Sequence, residues 1–542
     1  MRGGAVAAPA RPAGASRPET YPPGPAAPLH GPWPDDAVWG RRWLGPARPA
    51  SPATAAAIAL AAAIAAVSVP MDRPGVGWLL AAVAGTVALV LGRVRPRRPP
   101  SMLPPPPVVH PAARLGPARF GWSAATVTLL AAGTLRSAGW LFVLCLLTAG
   151  FTGTLAVAGG RSLRAMLLAT LMAPAAALRG APWVVRGLAR TRRPAGGVDG
   201  LRIAATVAVS AALLVVFGTL FASADATFAD LLATAVPDVD AATVTRWVFV
   251  FVVTGVLLTG GAYLRAAPPD LSGLDGAGHR RVARLEWAVP LTLLVLLFGL
   301  FVAVQLAVLF GGSRHVRHTD GLTYAAYARG GFWQLLVITG LTLLVLAGAA
   351  RWAPRRTRAD RVLIRAVLGT LAVLTLVVVA SALHRMDVYA DTYGLTRLRV
   401  MVAAAEFWLG AVFLMILLAG IRLRAGWLPR AAVAAAVLAL LGLAAANPDG
   451  MIAERNVTRY RQTGQIDVRY LSNLSPDAVP ALNRLAGLNR VRRDCTLIEI
   501  HEAMRGDPGD WRGWSYGRER AGKLLAAEPP VRHRECPTHY AD

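Results

Sequence analysis

The sequence predicts an all-α fold, a polytopic transmembrane helical bundle followed by a small, mostly helical C-terminal region. Hydrophobic residues make up 55% of the 542 residues and charged residues only 16%, which is unusual for a soluble chain. The apolar residues come in runs of about 18 to 25, long enough for a helix to cross a bilayer. Because hydrocarbon cannot satisfy backbone polar groups, these runs are expected to be helical.

About eleven such runs are candidate spans. They cover residues 52–70, 76–92, 121–136, 138–158, 201–223, 245–264, 287–311, 332–350, 362–383, 400–421 and 429–446. The predicted organisation is a disordered cytoplasmic arm (1–50), four spans (51–160), a cytoplasmic amphipathic connector (161–200), a seven-helix membrane domain (201–446) and an extracytoplasmic C-terminal region (447–542). The connector could lie on the inner leaflet or pack against the bundle, and its pattern favours neither.

The net charge of +27 comes almost entirely from arginine. Segments 93–120, 159–200 and 351–361 and the turn at 422–430 are rich in arginine, whereas segment 224–244 has four aspartates and no basic residue. With the N-terminus inside, the basic segments all fall on the cytoplasmic side, as positively charged loops do. The pattern therefore predicts an N-in, C-out protein of a bacterial inner (plasma) membrane, with the lipid bilayer and not nucleic acid as its partner.

Two cysteines fall in the C-terminal region, which the predicted orientation places in an oxidising compartment. Cys495 and Cys536 could form a disulfide there or remain two free thiols, and spacing alone does not decide between them. The third cysteine, Cys145, lies within a span and is interpreted as a small apolar residue.

Polar residues concentrate in connections expected at the outer face. The stretch "HRMDVYADTYGLTRLRV" (384–400) joins two spans, and "SRHVRHTDGLTYAAYARGG" (313–331) joins two others. The candidate binding residues are Tyr324, Tyr327, Arg329, His384, Asp387, Tyr389, Asp391, Tyr393, Arg397 and Arg399. We expect a cluster that binds a ligand or partner; the alternative is interfacial anchoring by tyrosines and solvated ion pairs.

Glu406 is a further candidate, because an acid within a span is costly unless it faces the bundle interior or a cavity. It could be a cation or proton site, or it could pair with Arg399 two helical turns away. His315 and His318 have the spacing of a metal pair, but no carboxylate or cysteine completes a known motif. No metal and no cofactor are predicted, and a D-x-D at Asp238 and Asp240 is interpreted as an acidic loop.

A set of motifs in fixed order resembles a known family. These are "LFASADATFADLL", "TYAAYARGGFWQLL", "YADTYGLTRLRV", "NPDGMIAERNVTR", "DVRYLSNLSPDAVPAL" and "DWRGWSYGRERA". Over about residues 200–542 they are similar to the bacterial multispanning family catalogued as domain of unknown function 4173, related to the 4153 group. The resemblance implies a polytopic membrane protein and no activity. In the family pattern an acid precedes the second tyrosine of the "TYAAYAR" motif, whereas this chain has Ala326.

Three functions remain open. The protein could bind or sense a ligand or an unidentified membrane or signalling partner at the outer face. It could be a transporter or flippase, with Glu406 beside its path. It could be a membrane enzyme acting on a lipid-linked substrate, with Asp387 or Asp391 as base.

Overall fold

The computed structural model is helical wherever regular structure is described, and the described residues contain no β-strand. Described are residues 43, 45–92, 116–190, parts of 209–228, 241–269, 283–310, 332–353, 357–423, 425–505 and 510–536. Several predictions therefore lie wholly or largely outside these residues: the N-terminal arm, the span 201–223, the acidic loop with Asp238 and Asp240, and the 313–331 connection with His315 and His318.

The membrane bundle and the C-terminal region follow one another along the chain. The bundle helices are α1 (Pro52–Ser68), α2 (Val76–Leu91), α3 (Pro117–Leu135), α4 (Gly139–Ala158), α5 (Leu163–Arg190), α6 (Ala241–Ala266), α7 (Arg284–Phe310), α8 (Phe332–Trp352), α9 (Arg358–Tyr393), α10 (Arg397–Arg422) and α11 (Leu428–Ala446). The C-terminal region has α12 (Pro448–Thr463), α13 (Val468–Ser472), α14 (Val479–Leu482), α15 (Arg490–Arg505) and α16 (Tyr516–Ala527), with short 3-10 turns between them.

The predicted spans and the observed helices agree closely. Each span except 201–223 coincides with one of the helices α1–α4 and α6–α11. Eight described helices, α4 to α11, are long and apolar enough to cross a membrane, and α1 and α2 are shorter apolar helices. The protein is therefore a multi-pass membrane protein. One of these eight helices is α5, which the sequence predicted to be a connector and not a span. The count of eleven spans and the orientation therefore stay predictions.

Side-chain burial agrees with a lipid environment. Large apolar residues cover the outside of the bundle; Leu296, Leu300 and Leu344, for example, are each more than 60% exposed. Inside, α7, α8, α9 and α10 share one apolar core, and α3, α4 and α11 share another. Buried hydroxyls such as that of Thr375 donate to a carbonyl one turn back, which satisfies them without a second helix.

Helix α9 is the longest element, with 36 residues. Thr357 and Asp360 form a reciprocal capping box at its start, which supplies two of the unpaired N–H groups with acceptors. The helix continues ten residues beyond the predicted span and ends at Gly394, which has φ +84°. The 384–400 stretch is thus mainly the last turns of α9 and the start of α10, joined by residues 394–396.

The C-terminal region has a core of its own. Ile452, Leu471, Leu482, Leu485 and Leu497 are all fully buried in one cluster. Cys495 on α15 is disulfide-bonded to Cys536, with 5.1 Å between the Cα atoms, and the bond closes a loop with a sequence separation of 41. Cys145 is free and buried in α4.

Candidate functional site

The 384–400 stretch docks the bundle onto the C-terminal region. Its apolar members, Ala390, Leu395 and Val400, are buried in the same cluster as Ile452 and Leu471 of that region. The periodic apolar residues of α9 and α10 therefore continue past the membrane spans and bury against a second core. We call this end of the bundle the docked end.

A buried amide fixes the turn between α9 and α10. The side-chain N–H groups of Asn456 on α12 donate to the carbonyl of Leu395 at 2.9 Å and to that of Ile452 at 2.8 Å. A Cβ on Gly394 would lie 2.2 Å from Oδ1 of Asn456. Glycine is therefore required at position 394 both by its positive φ and by the close approach of this amide.

A buried ion pair lies at the centre of the docked end. The Asp449 carboxylate is 0% exposed and accepts from Nε and Nη2 of Arg397 at 3.0 and 2.6 Å. It also accepts from the Trp140 indole at 3.0 Å and from the backbone N–H of Ser475 at 2.9 Å. One carboxylate thus joins α10, α4 and the C-terminal region.

The charge state of Asp449 follows from these contacts. Burial by itself raises the pKa of the carboxyl, but the hydrogen bonds and charge of Arg397, together with the Ser475 N–H, outweigh it. The pKa of Asp449 is therefore held below its usual range, and the pair remains ionised. A bidentate guanidinium–carboxylate pair is both strong and directional, so it specifies how the C-terminal region is seated.

A second buried carboxylate, Asp477, is held less completely. Its Oδ2 accepts from the backbone N–H of Ser137 at 2.7 Å and from the hydroxyl of Ser475 at 3.2 Å. Its Oδ1 has no hydrogen-bond donor among the described residues. Burial raises the pKa of Asp477 to about 6, although the Ser137 N–H and the charge of Arg136 oppose the rise.

Asp387 and Asp391 lie on the surface of the docked end. Both accept from Nη2 of Arg455 on α12, at 2.6 and 2.9 Å, and their side chains are 60% and 62% exposed. We call these three residues the surface ion cluster. The arginine that neutralises the two acids therefore comes from the C-terminal region and not from the 384–400 stretch itself.

The tyrosines and Arg399 form a stack beside the surface ion cluster. The Tyr389 and Tyr393 rings are 4.8 Å apart at their centroids, and the guanidinium of Arg399 lies 4.2 Å from the centre of the Tyr389 ring. Arg399 also donates to the carbonyl of Gly394. This geometry is typical of a cation–π contact. His384 is exposed one turn before Asp387 on the same helix.

Glu406 lies inside the bundle on α10 and is 1% exposed. Neither carboxylate oxygen has a hydrogen-bond donor among the described residues. The pairing with Arg399 that the spacing allowed is absent, because Arg399 turns back to Gly394 and Tyr389. Glu406 is therefore a buried acid without a described counter-charge.

The predicted site is divided between two kinds of environment. Asp387 and Asp391 share Arg455 at the surface, whereas Arg397 binds Asp449 in the interior. Tyr324, Tyr327 and Arg329 lie outside the described residues, so their membership of the cluster stays a prediction. No group of three or more metal-ligating side chains converges within the described part of the chain.

Several residues of the docked end were missed by sequence reasoning. Asp449 and Arg455 both lie in "NPDGMIAERNVTR", a motif that carried the family resemblance. Within that motif Pro448 is typical of a helix start, a signal that could have placed Asp449 and Arg455 on one helix. Nothing in the local sequence indicated that their partners would be Arg397 and Asp387, because those contacts span more than 50 residues.

The fold and the docked end define a polytopic helical membrane protein with a C-terminal helical region seated on its bundle. The model of the family described as Domain of unknown function (DUF4153) matches residues 124–485, so the chain belongs to that family. The expected relation to the 4153 group is confirmed, although the matching family is 4153 itself and not 4173, and the match begins earlier and ends earlier than the resemblance implied. No curated protein and no solved structure matches the chain.

Proposed function

We propose that the protein binds or senses a ligand or a partner at the outer face of a bacterial cell membrane, without catalysing a reaction. The observation that supports this proposal is the surface ion cluster, in which two exposed carboxylates share the one guanidinium of Arg455. The proposal takes residues 447–542 as an extracytoplasmic region and residues 51–446 as the membrane part.

The chemistry of the surface ion cluster favours a cationic group as the ligand. Exposed ion pairs contribute about 0–1 kcal/mol to stability, so the fold does not depend on this arrangement. Two carboxylates share the guanidinium of Arg455, whereas Arg399 beside them contacts the Tyr389 ring and the Gly394 carbonyl. Among the described residues, one negative charge of the cluster therefore lacks a directly bonded cation. An amine or guanidinium of a small ligand, or of a basic segment of a partner, would balance that charge.

The rigid seating of the C-terminal region supports a sensing role. Arg455 is on α12, and Asp387 and Asp391 are on α9, which continues into the bundle. A ligand that binds the acids in place of Arg455 would therefore change a contact between the C-terminal region and a membrane helix. Differential binding of this kind is what shifts an equilibrium between two conformations.

Deletion of the gene in the native host, followed by lipid and envelope profiling, tests the proposal. A phenotype restored by the full chain and by Glu454→Gln, but not by Asp387→Asn/Asp391→Asn, is the expected result. Glu454 is a matched control, because it is a carboxylate on α12 paired with Arg484 at 2.7 Å and 56% exposed. Equal restoration by the double variant would overturn the assignment of the surface ion cluster.

Cysteine labelling tests the orientation on which the proposal depends. The chain has three cysteines, one buried and two disulfide-bonded, so the background of reactive thiols is low. Asp391→Cys should react with a membrane-impermeant maleimide added outside intact cells. Reaction only after the cells are opened would overturn the outer-face assignment.

A transporter or flippase is the second candidate function, and buried Glu406 is the observation that favours it. Ionisable residues in the interior of a membrane bundle are typical of proton and cation pathways. The purified chain in liposomes should then show a flux of protons or cations that Glu406→Gln abolishes. An accumulated lipid-linked precursor in the deletion strain would favour a flippase or an enzyme that uses Asp387 or Asp391 as base.

A further inference from the structure

A groove of about 460 Å³ lies at the end of the bundle opposite to the docked end. It is bounded by the last turns of α8, the first turns of α9, the last turns of α10 and the turn to α11. Leu343, Leu346, Leu368 and Leu417 are among its apolar walls, and Arg365 is the charged residue among the described residues that line it. The groove is thus apolar along its length and basic at one point.

Arg365 is placed to bind an anion at the rim of this groove. Its Nε donates to the carbonyl of Gly420 at 3.3 Å, so the side chain reaches from α9 to α10. The side chain is exposed, and its two Nη groups have no hydrogen-bond acceptor among the described residues. A guanidinium with free N–H donors matches the geometry of a phosphate group.

The amino-acid sequence on either side of the groove residues is also basic. Residues 351–370 contain six arginines and one acid, and residues 411–430 contain three arginines and no acid. The one acid, Asp360, is already bound to Arg284 and to the backbone of Thr357. Trp352 and Trp427 are exposed at this end, and tryptophan is typical of the level of the lipid headgroups.

We propose that this groove binds one anionic phospholipid, with an acyl chain between α8, α9 and α10 and the phosphate on Arg365. An occupant must be apolar over most of its length and anionic at one end, which is the chemistry of such a lipid. Basic pockets between membrane helices bind anionic headgroups for this reason. A zwitterionic lipid lacks the net negative charge that would select this site over the surrounding bilayer.

Lipid binding to the purified full chain in detergent, measured by native mass spectrometry, tests the proposal. Phosphatidylglycerol and phosphatidylcholine with identical acyl chains are the two probes. We expect one tightly retained phosphatidylglycerol, and a loss of affinity of about tenfold in Arg365→Gln, as for one charge-assisted contact. Arg422→Gln is the matched control, because it removes the same charge at the same end of the bundle but does not line the groove.

A second pair of variants tests the groove independently of charge. Gly369 lines the groove, and a Cβ added there meets no atom within 4 Å apart from its chain neighbours and its own helix backbone, so Gly369→Leu should fill the acyl-chain site without disturbing the fold. Gly340→Leu on α8 is its control, because position 340 is equally open and is not in the groove. Equal retention of the two lipids overturns the proposal, as does equal binding by either variant and its control.

Discussion

Asp449→Asn should loosen the seating of the C-terminal region more than any exposed charge substitution. The change removes the negative charge beside Arg397 and replaces one acceptor oxygen by an N–H₂ group. Four hydrogen bonds converge on the native carboxylate, two of them from Arg397. At least one of these donors then faces another donor in a buried site.

The expected magnitude follows from the burial of the two partners. Removing one member of a buried ion pair costs about 3–5 kcal/mol. Asp449 is fully buried, but the Arg397 side chain is 31% exposed, and water can solvate part of its charge. We therefore expect a cost of about 3 kcal/mol, the lower end of that range. This corresponds to a roughly hundredfold larger population of the open state, in which the C-terminal region is not seated on the bundle.

Native-state hydrogen exchange of the full chain in detergent measures this loss on the amides of α12 and of Ser475. Trp140→Phe removes a single neutral donor and should cost about 1 kcal/mol. Glu454→Gln, at an exposed pair, should cost no more than about 1 kcal/mol. If Asp449→Asn changed the opening free energy no more than Glu454→Gln does, the assigned role of the buried ion pair would be refuted.

Three further outcomes are expected from the same region. Replacing Cys495 and Cys536 by serine should lower the free energy of unfolding of the C-terminal region by about 4 kcal/mol, from the loop that the disulfide closes; a thermal midpoint unchanged by the double variant would contradict this. Burial raises the pKa of Asp477 to about 6 in the folded protein, above the ordinary value of 3.8, so folding takes up a proton and stability should rise as pH falls between about 6 and 4. The increase in the free energy of unfolding over this pH range approaches about 3 kcal/mol. Chemical denaturation at several pH values should show that Asp477→Asn lacks this increase. Gly394→Ala should cost about 2 kcal/mol, because position 394 has a positive φ and the Asn456 amide lies close to it. Protection from hydrogen exchange equal to that of the native chain would argue against that strain.

Hydropathy and helix signals predicted the bundle helices well, because each apolar run carries its own requirement for internal hydrogen bonding. The same reasoning ended the predicted span within α9 at position 383, the last residue of the apolar run. The helix continues to Tyr393 because Ala390 is buried in the core of the C-terminal region. Whether polar residues extend a helix there depends on a partner that is distant in sequence.

The candidate site was only partly predictable for a related reason. Asp387 and Asp391 are four residues apart, a spacing that places both on one face of a helix and depends only on local sequence. Their counter-charge is 64 or more residues away on α12, and a single sequence carries no record of such pairing. The spacing also suggested Arg399 as the partner of Glu406, but Tyr389 and the Gly394 carbonyl compete for the same guanidinium.

Helix α9 also makes the two ends of the bundle mechanically dependent on each other. Its 36 residues form one uninterrupted α-helix, about 54 Å long at 1.5 Å per residue, with no proline to act as a hinge. Arg365 is near one tip of this rod and Asp387 is near the other. Any tilt that widens the groove at Arg365 must therefore swing Asp387 relative to its surroundings, so the two sites cannot be repositioned separately.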